Sequence, residues 1–453
     1  MEVRTLNIPL PEDLMKLKWN GQFELMKEMI DLRVQKDIPP QLKERLLLEK
    51  EIIEQIGKEY IYNREQAIQI CKDRINDFTE EEFDNLFKEN RLEFLFVEGQ
   101  MMFKNDFCDN LVRTLSDYKQ RSKEIISNQK VEILNQVIKE MKEEKEVFYK
   151  IHLRLSLKIK EEFQKVGKVI RVWLPVPVEY AQVEDFKLIS CSPNGVLNDS
   201  SVNHRSVYFE VPYQKDMEFY VEFEFVNHSI YHELDSKKVT RVQPNFYLEE
   251  VEPHYIFTPY LKNMTKEIIK DEKNPLIKAK KIYDWITSHI MYSLVRPYIT
   301  LPNIPEYALT GLKGDCGIMA SLFITMCRIA GIPADWQAGL YTNPIDVGNH
   351  DWARFYVAPY GWLYADCSFG GSAYRAGNEE RREFYFGNIE PFRAPFSRGF
   401  QENLEPKNRF TRRDPYDHQT GEVEYIDEKI DESGYEMKQE MIEIKKLRQI
   451  DKF

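Results

Sequence analysis

From Pro11 to about Tyr149, Leu and Ile recur among Glu and Lys every three to four residues, the spacing of helices that bury one face. Pro39-Pro40 interrupts the run, and Asn63 and Thr79 stand where new helices start. Thr79 followed by Glu82 fits a capping box, in which hydroxyl and carboxylate satisfy amides exposed at the first turn. Leu92 to Phe103 alternates around Glu98-Gly99, which predicts a β-hairpin because glycine tolerates the positive φ of a tight turn. Two helices and a hairpin also suit a winged-helix module. The flanking helices mix acidic and basic residues without a basic stripe, so a mainly helical packing region is the favoured expectation.

Near Ile151 the period changes from helical to alternating. HLRLSLKIK, KVIRVWLPVPV, RSVYFEVPY and EFYVEFEFV, separated by Gly, Pro, Asn and Asp, describe a small antiparallel sandwich. A helical pattern returns from about Met264 to His289 and is broken by Pro275. After about Arg398 the chain turns Arg-rich and then acidic, and Met441, Ile444 and Leu447 predict a terminal helix from Gly434. The expected division is 1–150 mainly helical, 151–262 β-sandwich, 263–400 an α+β core, and 401–453 a charged extension with a terminal helix. No internal repeat or low-complexity tract is found.

With 42% hydrophobic, 13% aromatic and 30% charged residues among 453, the chain is too apolar to remain a solvated coil. Its 63 Lys plus Arg against 75 Asp plus Glu, a net charge of −12, argue against nucleic acid as a general partner. Six cysteines without a CxxC pair do not read as a disulfide framework. The N-terminal residues lack a basic segment followed by an apolar core, so a cytoplasmic protein is expected. The apolar run from Cys316 to Cys327 is shorter than the roughly 18 residues that span a bilayer, so no membrane partner is expected.

The chemistry concentrates in GLKGDCGIMASLFITMCRIAGIP and GNHDWARFYVAPYGWLYADCSFGG. Cys316 follows Gly314-Asp315 and opens a run of helix formers, where unpaired amides and the macrodipole favour a thiolate. His350 and Asp366 lie on the two arms of a hairpin around Ala358-Pro359-Tyr360-Gly361. A thiol nucleophile needs an imidazole, and the imidazole needs a carboxylate to fix its tautomer, so Cys316, His350 and Asp366 form a candidate catalytic set. Their separation along the hairpin is even, so His350 and Asp366 share a face only if the loop has an odd number of residues. Direct opposition would centre the turn on Ala358. Cys327 and Cys367 read as packing residues, and a zinc site through Cys316, His350 and Cys367 lacks the usual paired spacing, so no metal or cofactor is expected. His228 and His232 fall on a strand-like segment and read as surface histidines. Trp352 and Trp362 are either core residues or cleft walls beside His350, and Tyr292 and Asp315 also fall in the candidate substrate cleft. An oxyanion hole would combine the Cys316 amide with a side-chain donor, for which Tyr292, Tyr298 and Asn303 are candidates.

Gly314-Asp315-Cys316, His350-Asp351-Trp352 and Gly361-Trp362 through Asp366, with RIAGIPA from Arg328 to Ala334, resemble the transglutaminase-like branch of the papain-like cysteine enzymes. The resemblance runs from about Met264 to Phe400 and departs from many relatives at Asp335, where they carry a basic residue. It implies a papain-like core, a nucleophile helix packed on an antiparallel sheet, preceded by a β-rich domain that carries Val172-Trp173-Leu174-Pro175. It also implies an acyl-enzyme chemistry on peptide or protein amides. Hydrolysis by a peptidase or amidase is the leading expectation, since no calcium-type run such as DxDxDG is present. Transglutaminase-type transfer to an amine and a catalytically idle binding or scaffold role are the alternatives.

Overall fold

The computed structural model describes residues 3–124, 129–412 and 415–448. Thr79 and Glu82 form the expected capping box, with Thr79 Oγ1 accepting from the Glu82 amide and Glu82 Oε2 from the Thr79 amide. Strands Phe94–Val97 and Gln100–Lys104 make the expected hairpin, and Glu98 and Gly99 both take positive φ at its turn. A further strand, Tyr60–Tyr62, pairs with Gln100–Lys104. The chain order here is helix Pro40–Glu59, that strand, helices Arg64–Arg74 and Glu80–Lys88, and the hairpin, with the three strands in one small sheet. The region is mainly helical with the expected hairpin, and strand Tyr60–Tyr62 is the element the sequence pattern did not indicate. The second of the paired helices opens with Glu80, Glu81 and Glu82, a charge pattern that opposes a phosphate backbone.

Two sheets form a sandwich. One runs Glu428–Lys429, Glu422–Tyr425, Val169–Pro175, Ser206–Pro212, Val196–Leu197, and the other runs Tyr435–Leu447, Glu146–Ile159, Glu218–Ile230, Val183–Cys191. The terminal helix expected from Gly434 is instead the strand Tyr435–Leu447, antiparallel to Glu146–Ile159. A register shift between Met441 and Glu443 explains the misreading: the extra residue, Ile442, is left exposed, and Met441 and Ile444 both pack on the sandwich core. Three-residue spacing, normally a helical sign, is produced here by a bulge. The long edge of Glu146–Ile159 supplies the backbone partners that make the strand win.

A separate five-stranded antiparallel sheet runs Phe386–Gly387, Gly361–Ala365, Asp346–Val357, Ala334–Asn343, Arg393–Arg398. Helix Cys316–Ile329, buried over nearly its whole length, packs on it, with Phe323 edge-on to Phe355 at 5.6 Å. Helices Pro259–Ile269 and Pro275–His289 flank that helix and are split as Pro275 dictates. The fold is thus mixed helix and sheet, with a helix-on-antiparallel-sheet core. Leu340, Ala394 and Phe396 of this sheet join the sandwich core, so the two units share apolar packing. No helix among the described residues is long and apolar enough to cross a membrane.

Phe223, fully buried, lies at this junction with its ring 6.1 Å from Phe396. Phe223→Ala should cost about 3–5 kcal/mol of unfolding free energy, the usual loss for a buried phenylalanine. Urea unfolding checks it, and a loss below about 1 kcal/mol would remove this ring from the shared core.

Candidate active site

Asp315 caps helix Cys316–Ile329: its Oδ1 accepts from the Ile318 amide at 3.0 Å and from the Tyr298 hydroxyl at 2.5 Å. Cys316 is therefore the first helical residue, half-buried at the helix N-terminus. Only glycine fits after it, because a Cβ at Gly317 would collide with the Tyr298 hydroxyl and the Asp351 carboxylate. The sequence places this tight approach where the helix meets the strand Asp346–Val357.

That strand continues into Gly361–Ala365 through the three-residue loop Ala358 to Tyr360, an odd number, so His350 and Asp366 lie on one face. Val357 pairs with Gly361, which centres the turn on Pro359 rather than Ala358. Asp366 accordingly approaches His350 diagonally, and His350 Nε2 lies 2.7 Å from Asp366 Oδ2. Asp366 also caps the helix Cys367–Arg375, with Oδ1 accepting from the Phe369 amide at 2.9 Å and from Ser368 Oγ at 2.8 Å. Arg393 Nη1 adds a charge at 2.9 Å from Oδ2, and its Nε and Nη2 hold Glu390 at 2.6 and 3.0 Å. Arg393 and Glu390 are completely buried. Burial works against the Asp366 carboxylate, yet His350 and Arg393 hold it well below the usual range. Burial lowers the basicity of His350, opposed by Asp366, which leaves a neutral imidazole at neutral pH.

The thiol makes a different contact. Cys316 Sγ donates to Asp351 Oδ2 at 3.5 Å, whereas the imidazole of His350, the preceding residue of the same strand, bonds to Asp366, so thiol and imidazole each meet a carboxylate of their own. Burial, then Asp351 and Asp315, push the thiol well above its usual pKa, against a smaller pull from the Asp351 amide. This corrects the expectation that the helix N-terminus yields a resting thiolate. Gln419, from the segment beyond the core, donates to Asp351 Oδ1 at 2.6 Å and to the His350 carbonyl at 3.1 Å.

The remaining sequence candidates separate. Tyr292 is half-buried beside Cys316; desolvation, then Cys316, Asp315 and Asp351, raises its phenol, and it lines a cavity of about 1090 Å³ together with Tyr341, His350 and Phe369. Trp352 is fully buried beneath the imidazole, its ring 6.0 Å away and its Nε1 donating to Gln337 Oε1, so it is floor and not cleft wall. Trp362 lies at the far end of the sheet against Phe246, Tyr247 and Arg354, in a separate cavity, which removes it from the cleft. Asp315 and Tyr298 bond to each other at the helix cap, and Asn303 caps helix Ile304–Gly311, so neither Tyr298 nor Asn303 remains a ready oxyanion donor. Cys327 and Cys367 are buried packing residues. Among the described residues no group of three or more His, Cys, Asp and Glu is gathered as a metal site. Asp335 forms a buried ion pair with Arg354, so its acidic charge is spent within the sheet. His228 is half-buried between Glu146 and Glu184 rather than a free surface residue.

The sequence reading missed Arg393, Glu390, Asp351 and Gln419 as parts of the site, together with buttresses from the N-terminal region. Glu93 pairs with buried Lys313 at 2.8 Å just before the Cys316 loop, and Asn110 holds Ser293 and the Leu294 amide just after Tyr292.

Residues 262–367 match the transglutaminase-like superfamily. Cys316, His350 and Asp366 all fall inside the matched segment, and Arg393 and Gln419 lie beyond it. A protein of Haemophilus influenzae without an assigned role is 26% identical over 137 residues, which cover 25% of this chain and 37% of that one. The chain thus spans little more than a third of that relative. Among solved structures, a candidate cysteine protease of Cytophaga hutchinsonii aligns over 67% of this chain and 90% of its own, with 14% identity and a TM-score of 0.39. The periplasmic domain of TgpA from Pseudomonas aeruginosa aligns over 54% and 95%, with 15% identity and a TM-score of 0.29.

The α+β core and the segments packed on it bury four histidines with lowered pKa: His350, His204, His418 and His254, the last down to about 3. The unfolded chain takes up these protons below about pH 6.5 and the folded chain does not, so their stabilising contribution is complete above that pH and lost below it. Each removes up to about 1.4 kcal/mol per pH unit. The melting temperature should therefore fall between pH 7 and pH 5, and an unchanged value would show that these rings are solvated.

Proposed function

We propose that the protein is a cysteine-dependent amide hydrolase acting on peptide or protein substrates. The observation that carries this reading is the His350 Nε2 to Asp366 Oδ2 contact of 2.7 Å, formed one residue from the carboxylate that holds the Cys316 thiol. With Nε2 donating to Asp366, Nδ1 is the nitrogen that accepts the thiol proton. Resting thiol and neutral imidazole imply that proton transfer accompanies attack instead of preceding it.

Cys316 Sγ attacks the substrate carbonyl as its proton passes to Nδ1, forming an imidazolium that Asp366 stabilises and orients. The helix-start amide of Cys316 and the Tyr292 hydroxyl are suited to the developing oxyanion. Collapse breaks the C–N bond, the amine leaves with the imidazolium proton, and an acyl-enzyme thioester remains. Water, deprotonated by Nδ1, then attacks the thioester and releases acid and thiol. An amine in place of water would give acyl transfer through the same intermediate.

Cys316→Ala and His350→Ala should each lose on the order of 10⁴-fold or more in amide turnover, and Asp366→Asn, which keeps shape but not charge, roughly a hundredfold less. Turnover on a fluorogenic peptide-amide library, with and without an added amine, measures this beside a melting curve for each variant. Full activity in folded Cys316→Ala would end the mechanism, and amide product dominating over acid would convert the reading to acyl transfer.

A further inference from the structure

We infer that Asp351 is a positioning residue for Cys316: its carboxylate, clamped by Gln419, takes the thiol hydrogen bond and sets the pH at which the thiol becomes a nucleophile. The inference rests on Cys316 being the reacting group.

Three features support it. Asp351 is nearly buried, with Oδ2 at 3.5 Å from Cys316 Sγ and Oδ1 at 2.6 Å from Gln419 Nε2. Gln419 Nε2 also donates to the His350 carbonyl, so one amide group fixes the carboxylate relative to the backbone that carries the imidazole. The space for the carboxylate exists because residue 317 is glycine. The other groups facing the thiol are placed differently. The Asp315 carboxylate is engaged by Ile318 and Tyr298, Asp366 stands behind the imidazole with Arg393, and Tyr292 and Tyr298 contribute neutral phenols. Among the carboxylates, it is Asp351 that receives the S–H.

The chemistry has a definite sign. An S–H···O⁻ contact stabilises the protonated thiol, and loss of that proton sets a thiolate against a carboxylate. Asp351 therefore restrains Cys316 until a base removes the proton in the course of attack. The restraint keeps a thiol that is not fully buried from reacting with passing electrophiles and oxidants in the absence of substrate.

Asp351→Asn tests this with little change of shape, since Oδ1 still accepts from Gln419 while an N–H donor replaces the acceptor at Sγ. The readout is the pH dependence of Cys316 alkylation by iodoacetamide, followed by mass spectrometry of the Cys316 peptide in the full chain. The midpoint should fall by about one pH unit or more, with alkylation about tenfold faster below the wild-type midpoint. The acid limb of peptide-amide turnover should move in the same direction. Asp351→Ala, also lacking the carboxylate, provides a second variant if the first melts early. An unchanged midpoint in a folded variant would overturn the inference, as would a shift produced by Asp315→Asn and not by Asp351→Asn. If the midpoint shifts while Cys316→Ala retains turnover, Asp351 holds its assigned role and the proposed nucleophile is the part that fails.

Discussion

The site depends on one buried carboxylate. Asp366 accepts four hydrogen-bonding or charged contacts: His350 and Arg393 at Oδ2, Ser368 and Phe369 at Oδ1. An ionised carboxylate is costly to bury unless its lone pairs are met by donors and its charge by a cation. Both conditions hold here, through a helix cap on one side and a guanidinium on the other. The same contacts fix the imidazole tautomer, so one geometry both meets the energetic requirement of burial and orients the ring. Arg393 is itself acceptable in the interior because Glu390 takes the other side of its fork. Arg393 is the member this set can least lose, because without it Asp366 and Glu390 would be two buried carboxylates with no cation between them.

Magnitudes decide the state of the thiol. A helix N-terminus favours an anion by about 0.3–1 kcal/mol at an exposed position. A carboxylate about 4 Å away opposes one by roughly 4 kcal/mol at an effective dielectric constant of 20. Asp351 and Asp315 both act on Cys316, and burial acts in the same direction, so the macrodipole loses. For the proposed reaction, a neutral pair beside an ionised Asp366 would favour attack coupled to proton transfer, with Asp366 lowering the cost of the imidazolium as it forms.

Residue types and spacing reveal the local parts of this arrangement. The capping box at Thr79, the Glu98-Gly99 turn and the parity of His350 and Asp366 each follow from a few neighbouring residues, and the structure contains them. Errors arise where two patterns share a period or where the partner is distant. Met441 and Ile444 imitate a helix because a bulge inserts one residue between inward-facing positions. Trp362 stands beside the active-site motif in sequence, yet the hairpin carries it to the opposite end of the sheet from His350. Arg393 and Gln419 carry no local signal at all. Arg393 at the start of a strand and Gln419 in a polar loop acquire roles only when the fold brings them to Asp366 and Asp351.

The division between recognisable domain and working site follows from the same contacts. Residues 262–367 contain Cys316, His350 and Asp366, but the groups that make them tolerable in the interior come from outside. Arg393 neutralises Asp366, Gln419 ties His350 to Asp351, Glu93 meets Lys313 ahead of the Cys316 loop, and Asn110 satisfies the backbone after Tyr292. Each of these contacts meets a buried charge or polar group that would cost about 1–3 kcal/mol or more if left alone. The N-terminal region and the C-terminal strands are thus bound to the site by electrostatic necessity as well as apolar packing. Because polar contacts are directional and apolar ones are not, these distant segments fix the angles of the candidate-site side chains while the hydrophobic cores fix only their approximate place.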